Sequence, residues 1–264
     1  MAEDNSSKRF DLPLIWPDKI EPRLYQQSIA EKALEKNTLV VLPTALGKTI
    51  ISALVAANSI STNSNMRVLV MAPTRPLVLQ HHETYVNLLK LPSESLMTLT
   101  GKTPSLYRKQ IWDGKAKIIF ATPQIVRNDL ESEIFSLRNF NLLIFDECHR
   151  ARKDYAYTYV AKKYVEQAQW PIILGMTASP GADKEKITEI CEALFIEQIE
   201  YRSEEDPDVA SYIHQVDVEW KSVDLPVEYR ETSRVIRIML NERLTRLARF
   251  GVIHTKPENT NRRD

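Results

Sequence analysis

The chain has 264 residues, is 43% hydrophobic and 27% charged, and balances Lys plus Arg against Asp plus Glu at 35 each. That length carries one large domain or two small ones with a real core, and the neutral balance gives no bulk attraction to nucleic acid or membrane. The two cysteines, Cys148 and Cys191, exclude a disulfide framework, no run approaches the roughly 18 apolar residues of a membrane span, and the polar opening MAEDNSSKRF predicts no secretory leader. The expected setting is cytoplasmic, with no membrane partner.

Residues 1–19 read as a flexible tail and an extended, proline-bearing lead-in. RLYQQSIAEKALEKN (23–37) then gathers Leu24, Ile29, Ala33 and Leu34 on one face of a helix. Short apolar, β-branched runs follow at 38–43, 67–73, 117–123, 141–148 and 171–179, with further candidates at 95–101 and 197–202. Helix-patterned segments lie between them near 48–60, 76–90, 104–113, 124–133 and 155–168. Strands that are apolar throughout belong to a sheet covered on both faces. Their alternation with helices predicts an open parallel α/β sheet with helices on both faces, in which ligands bind beyond the carboxyl ends of the strands.

The first domain is expected to span 20–203. The acidic stretch RSEEDPD begins a connector over 204–226, and an amphipathic basic helix follows at 227–251, closed by Gly251. Residues 252–264 read as a disordered tail. The basic helix fits either a nucleic-acid grip or the exposed face of a packed helix.

In VVLPTALGKTIISALVAA, Gly47-Lys48-Thr49 stands between a buried strand and a helix. Backbone N–H groups at such a helix N-terminus form an anion nest, Lys48 adds a charge for the β/γ-phosphates, and the Thr49 hydroxyl suits Mg²⁺. The strict G-x-x-x-x-G-K-[ST] pattern is not met, since Leu42 stands where its first glycine belongs. The plainer alternative is a turn and a helix with an exposed lysine.

NLLIFDECHRA (141–151) ends an apolar run in Asp146-Glu147-Cys148-His149. If the strand stays extended, Asp146 and Cys148 point one way, Glu147 and His149 the other, so only two ligands could converge on a zinc ion. A Mg–nucleotide site fits better. One carboxylate at the tip of a buried strand, one strand away from the phosphate loop, holds the metal and the next activates water, which assigns Asp146 to Mg²⁺ and Glu147 as base. A solvated strand end does not account for paired acids behind a wholly apolar run.

With these motifs in place the chain resembles superfamily 2 helicases, P-loop NTPases with a RecA-like fold, and in detail the archaeal Hef and Fanconi anaemia M-type DNA helicases. Arg23-Leu24-Tyr25-Gln26 looks like the Q motif, PTALGKT (43–49) motif I and APTRPLVLQ (72–80) motif Ia. LTGKT (99–103) and ATPQIVRNDL (121–130) look like further nucleic-acid motifs, Asp146–His149 is motif II, and Thr177-Ala178-Ser179 is motif III. The likeness extends over about residues 20–225. It implies ATP and Mg²⁺ as cofactors and branched, forked or single-stranded DNA as partner. Gln26 and Arg23 would read adenine, and Thr44, Ala45, Leu46, Gly47, Lys48 and Thr49 would wrap the phosphates. His149, Thr177 and Ser179 would couple nucleotide state to domain movement. Pro73, Thr74, Arg75, Thr100, Gly101, Thr122 and Pro123 would touch one strand's phosphates, a contact mode that needs no large positive charge. Taken singly, the Thr-Pro pairs fit turn chemistry as well.

Two departures from the family pattern stand out. Ala45 replaces the usual loop glycine, and if that position has positive φ a Cβ costs about 1 kcal/mol or more. No Gly-Arg dipeptide occurs in the chain, so the resemblance implies that the second RecA-like domain, whose arginines would reach the γ-phosphate, is to be expected in a longer protein or on a partner chain. The chain reads as half of a DNA helicase or translocase motor, weakly active or inactive alone. An RNA helicase or duplex-RNA sensor shares the same motifs. A non-catalytic nucleic-acid-binding module is a further alternative, and a P-loop kinase leaves the Thr-Pro strand ends unexplained.

Overall fold

Apolar runs of four to seven residues pair side by side into a single parallel sheet. The strands are β1 (Thr38–Val41), β2 (Arg67–Met71), β3 (Leu96–Leu99), β4 (Ile118–Ala121), β5 (Phe140–Asp146), β6 (Ile173–Thr177) and β7 (Gln198–Tyr201), in the order β3-β4-β2-β5-β6-β1-β7. The helices are α1 (Leu24–Lys32), α2 (Lys48–Thr62), α3 (Arg75–Leu88), α4 (Ser105–Asp113), α5 (Pro123–Glu131), α6 (Ala156–Gln167), α7 (Lys184–Ala193), the short α8 (Pro207–Ala210) and α9 (Val227–Arg249). This computed structural model describes residues 14–20, 23–44, 46–63, 65–178, 184–210, 212 and 221–251. The expected tails at 1–13 and 252–264, connector residues 211 and 213–220, and the candidate site residues Ala45 and Ser179 lie outside the described residues.

The all-apolar strands conceal a period of two. On β5, Leu142 and Ile144 join one core cluster while Leu143 and Phe145 join the other. β2 divides in the same way, Val68 and Val70 against Leu69 and Met71. Residues of α1, α2 and α3 complete the first cluster, and residues of α4, α5, α6 and α7 the second. The central strands are therefore covered on both faces, which is why they show no polar alternation, while the edge strands β3 and β7 stay partly exposed. The structure is the open parallel α/β sheet that the patterning predicts. β1, β2 and β4 stop two residues short of the apolar runs because Pro43, Pro73 and Pro123 offer no N–H to continue a ladder.

Of the lead-in, residues 14–20 are described, and they are not extended throughout: one bridge at Ile15 is followed by a turn, Lys19 N–H donating to the Trp16 carbonyl at 3.1 Å. Ile15 bridges Leu89 in antiparallel fashion, Trp16 N–H donates to the Leu88 carbonyl at 3.0 Å, and the Lys90 ammonium lies 5.3 Å from the Trp16 ring centroid.

The chain divides into two compact units, 1–213 and 214–264. In the second, Pro226 precedes α9, Glu228 lies in its first turn and Arg246 and Arg249 in its last, the arrangement a helix dipole favours. Gly251 takes φ +71° just past the end and donates its N–H to the Ala248 carbonyl, so it closes the helix as its position predicts.

Candidate active site

Three strand ends build the candidate nucleotide side. β1 runs into the loop before α2, and β5 and β6 end beside it, with β6 standing between the other two. Gly47 caps the start of α2 at φ +77°, ψ 35°. The positive φ favours glycine, and a Cβ there would also displace the side-chain nitrogen of Gln26. Lys48 folds back, its ammonium donating to the Leu42 carbonyl at 2.9 Å and the Pro43 carbonyl at 3.1 Å. Burial lowers the Lys48 pKa, while the negative fields of Glu147 and Asp146 act to raise it. The lysine and both carboxylates thus share one electrostatic environment. Thr49, in the first turn of α2, is half-buried, and its carbonyl accepts from the Ser52 hydroxyl at 2.8 Å.

The loop is pinned from α1. The Tyr25 hydroxyl donates to the Leu46 carbonyl at 2.7 Å, and Gln26 Nε2 reaches the same oxygen at 3.3 Å. Gln26 is only 2% exposed, so here its amide holds the loop backbone. The Arg23 guanidinium lies 5.1 Å from the ring centroid of Tyr212 and donates to the Tyr25 hydroxyl at 3.2 Å.

At the acidic strand end, Asp146 is 6% exposed and its Oδ2 lies 2.8 Å from His81 Nε2 on α3. Its carbonyl accepts from the Tyr157 hydroxyl at 2.7 Å, which also reaches the Met71 carbonyl at 3.2 Å and so ties β5 to β2. The expected alternation fails one residue later. Glu147 takes φ +49°, ψ 45° and Cys148–Arg150 form a 3₁₀ turn, so the side chains do not alternate along an extended strand. A non-glycine residue in that region costs about 1–3 kcal/mol and is typical of functional sites. The turn brings His149 Nδ1 within 3.2 Å of Glu147 Oε2 and 3.1 Å of Thr177 Oγ1. The Thr177 carbonyl accepts from Leu42 N–H at 3.1 Å, closing a path from motif III back to the phosphate loop.

Cys148 points into the core, fully buried, with its thiol pKa pushed well up by burial and then by Asp146 and Glu147. Its sulfur fills the space that a Cβ on Gly175 of β6 would need, at 3.3 Å. It is a packing residue matched to a glycine.

The residues expected to meet a nucleic-acid strand lie at the ends of β2, β3 and β4. Thr74 and Thr122 stand at the N-caps of α3 and α5, with a proline in the first turn of each helix. Thr74, Arg75 and Gly101 are exposed, whereas Pro73 and Thr122 are half-buried and Thr100 and Pro123 buried. The Thr100–Thr103 turn is closed in both directions, Thr103 N–H to the Thr100 carbonyl at 2.7 Å and Thr100 N–H to Thr103 Oγ1 at 3.1 Å. Arg108 spans from the Thr103 carbonyl (3.3 Å) to Asp129 Oδ1 (3.1 Å), and Trp112 Nε1 donates to Asp129 Oδ2 at 2.8 Å.

The sequence profile of the DEAD/DEAH box helicase family matches residues 23–187, more than half of the chain and every motif of this site up to Ser179. This chain belongs to that family. A putative ATP-dependent RNA helicase of Methanocaldococcus jannaschii is 44% identical over 92% of this chain and 31% of its own length. The DEAD-box ATP-dependent DNA helicase Fancm of Drosophila melanogaster is 38% identical over 87% of this chain and 15% of its own. The crystal structure of the Pyrococcus furiosus Hef helicase domain matches with a TM-score of 0.75 and 43% identity over 95% of this chain and 52% of that one. The chain is thus a superfamily 2 helicase domain of the RecA-like fold, related to Hef and Fanconi anaemia M-type helicases, and it spans less than a third of the Methanocaldococcus and Drosophila relatives.

Several residues of this helicase site carry no motif signal. His81, Tyr85 and Tyr157 sit in amphipathic helices where an aromatic or histidine reads as core filling. Tyr212 stands in a short turn within the connector, just past the acidic stretch RSEEDPD. The Arg108–Trp112–Asp129 group had one usable hint, the i, i+4 spacing of Arg108 and Trp112, but nothing pointed to Asp129 as their common acceptor.

Proposed function

We propose that this chain is the ATP-binding half of a DNA helicase or translocase motor that works on branched or forked DNA inside the cell. One observation carries the reading: Lys48, Asp146, Glu147 and the His149–Thr177 pair converge on the carboxyl ends of neighbouring strands at the N-terminus of α2.

Thr44 to Thr49 enclose the phosphates, and Lys48 leaves the carbonyls of Leu42 and Pro43 to meet them. Arg23 and Gln26 border the adenine side. The donor set fits Mg²⁺, since the Thr49 hydroxyl and the Asp146 carboxylate are hard oxygen ligands facing one lysine charge. Thr49 and Asp146 would hold Mg²⁺ with the nucleotide, and the ion would supply neutralisation of phosphate charge. Glu147 takes the proton of the attacking water, and His149 passes the state of that carboxylate to Thr177. Pro73, Thr74, Arg75, Thr100, Gly101, Thr122 and Pro123 hold one nucleic-acid strand by its phosphates, without reading bases. The arginines that complete the site come from a second RecA-like domain. An arginine of that kind is worth about 10³–10⁵ in rate, so this chain alone binds nucleotide and turns it over slowly.

The test compares ATPase activity of this chain, with and without forked DNA, against a protein extended through a second motor domain. DNA-stimulated turnover is expected only in the extended protein, and strong stimulation of this chain alone would overturn the half-motor reading. The relative in Methanocaldococcus jannaschii named an RNA helicase supports a second reading, in which duplex RNA replaces DNA. Stimulation by duplex RNA above forked DNA would establish it.

A further inference from the structure

Helix α3 touches both halves of the site. Its N-cap, Thr74, and first residue, Arg75, lie at the strand-facing edge. Its buried face carries His81 and Tyr85 at i, i+4, one above the other. His81 is 5% exposed and meets Asp146 Oδ2 at 2.8 Å. A carboxylate only accepts, so Nε2 is the donor. That leaves Nδ1 buried with no partner. A leucine or methionine would fill the same core space without an orphaned nitrogen, so the imidazole is explained by its contact with Asp146.

One turn on, the fully buried Tyr85 donates its hydroxyl to Ser52 Oγ at 2.8 Å, and Ser52 donates to the Thr49 carbonyl at 2.8 Å. Burial pushes the Tyr85 pKa far up, so the hydroxyl keeps its proton and stays a donor. The ring is held edge-on against Phe120 of β4, centroids 5.0 Å apart. The same helix is therefore bonded to the acidic tip of β5 and to the phosphate-loop helix, about 9–15 Å along its axis from the strand-facing end at 1.5 Å per residue.

We propose that α3 couples strand binding to Mg–nucleotide binding, with His81 and Tyr85 as the positioning residues that transmit it. Close-packed interiors pass small displacements on. A phosphate gripped at Thr74–Arg75 fixes the helix, and the helix then fixes Asp146 and the Thr49 turn in their binding arrangement. The path is separate from the His149–Thr177 link, which lies across the sheet at β6. The inference rests on the assignment of Asp146 and Thr49 to Mg–nucleotide and of Thr74 and Arg75 to the strand.

The experiment measures the affinity of a fluorescent, non-hydrolysable ATP analogue with Mg²⁺ for this chain, with and without a saturating single-stranded DNA oligonucleotide. The oligonucleotide is expected to tighten analogue binding about fivefold or more, and the analogue to tighten oligonucleotide binding by the same factor. His81→Leu should bring that factor to one while oligonucleotide affinity without nucleotide stays within about twofold, since no strand contact is removed. His81→Gln, which keeps a donor in reach of Asp146, should restore the factor, a rescue that loss of packing does not predict. Tyr85→Phe keeps the ring and should at least halve the factor. If His81→Leu does not fold, an undiminished factor in Tyr85→Phe overturns the inference. So does a factor of one in the unaltered chain, or a full factor in folded His81→Leu, each leaving the function reading intact. A chain that binds neither analogue nor oligonucleotide instead sinks the function reading itself.

Discussion

The candidate nucleotide side and the candidate strand-facing edge of this domain are built in opposite ways. On the nucleotide side, charged and polar side chains are buried and cross-linked: Asp146 to His81, Lys48 to the loop carbonyls, Gln26 and Tyr25 to Leu46. On the strand side the exposed groups are helix caps and a turn, and the supporting side chains, Arg108, Trp112 and Asp129, sit behind them. A site that must arrange charge for a reaction needs preorganised, partly desolvated groups. A site that follows a sugar–phosphate backbone needs N–H groups and hydroxyls at the right spacing, and very little net charge.

This contrast predicts how each side fails. The largest effect belongs to Glu147→Gln, which in the two-domain protein should retain nucleotide binding and lose about 10²–10⁴ in turnover; retained turnover removes Glu147 from its role. Gly47→Ala comes next. Its φ of +77° and the collision with Gln26 should together destabilise the domain by about 1–2 kcal/mol or more and weaken nucleotide binding. Adding Gln26→Ala should recover part of the loss, and denaturant melts of the double mutant measure how much. On the other side, Arg108→Met should weaken oligonucleotide binding severalfold and leave nucleotide affinity unchanged. If Arg108 only supports the Thr100–Thr103 turn, the salt dependence keeps its slope; a slope shallower by about one ion shows that Arg108 grips a phosphate itself. Smallest is Ala45→Gly, expected to raise ATP affinity by about 1 kcal/mol, or roughly fivefold. An unchanged affinity in a titration would end the idea that Ala45 burdens the loop.

The sequence made the sheet legible for a physical reason. Apolar runs that end in proline or in paired acids mark buried strands and their carboxyl ends, and chemistry collects there. The order of motifs alone implies that Lys48, Asp146, Glu147, His149 and Thr177 lie near one another. Glu147 was misread locally, because a strand period gives no sign that the backbone turns left-handed at φ +49°. α7 went unmarked because KEKITEICEA carries few apolar residues and follows a loop. His81, Tyr85 and Asp129 were invisible for a different reason. Their partners lie 65, 33 and 17 or more residues away, and no local period encodes such pairings.

Asn37 sets where this domain can be cut. Its side chain accepts from Ile173 N–H at 2.8 Å and donates to the Phe195 carbonyl at 2.9 Å, and its backbone N–H donates to Glu197 Oε2 at 3.0 Å. The same short turn thereby fastens β6 and the approach to β7 onto the start of β1. β7 in turn covers the outer edge of β1, the strand that delivers the phosphate loop, and Tyr212 beyond it covers Arg23. A truncation placed before β7, at the end of the last helicase motif, strips that edge and loosens the loop although every motif residue is retained. A truncation that keeps the chain through Tyr212 is expected to retain the stability of the loop, although the last motif residue lies well upstream.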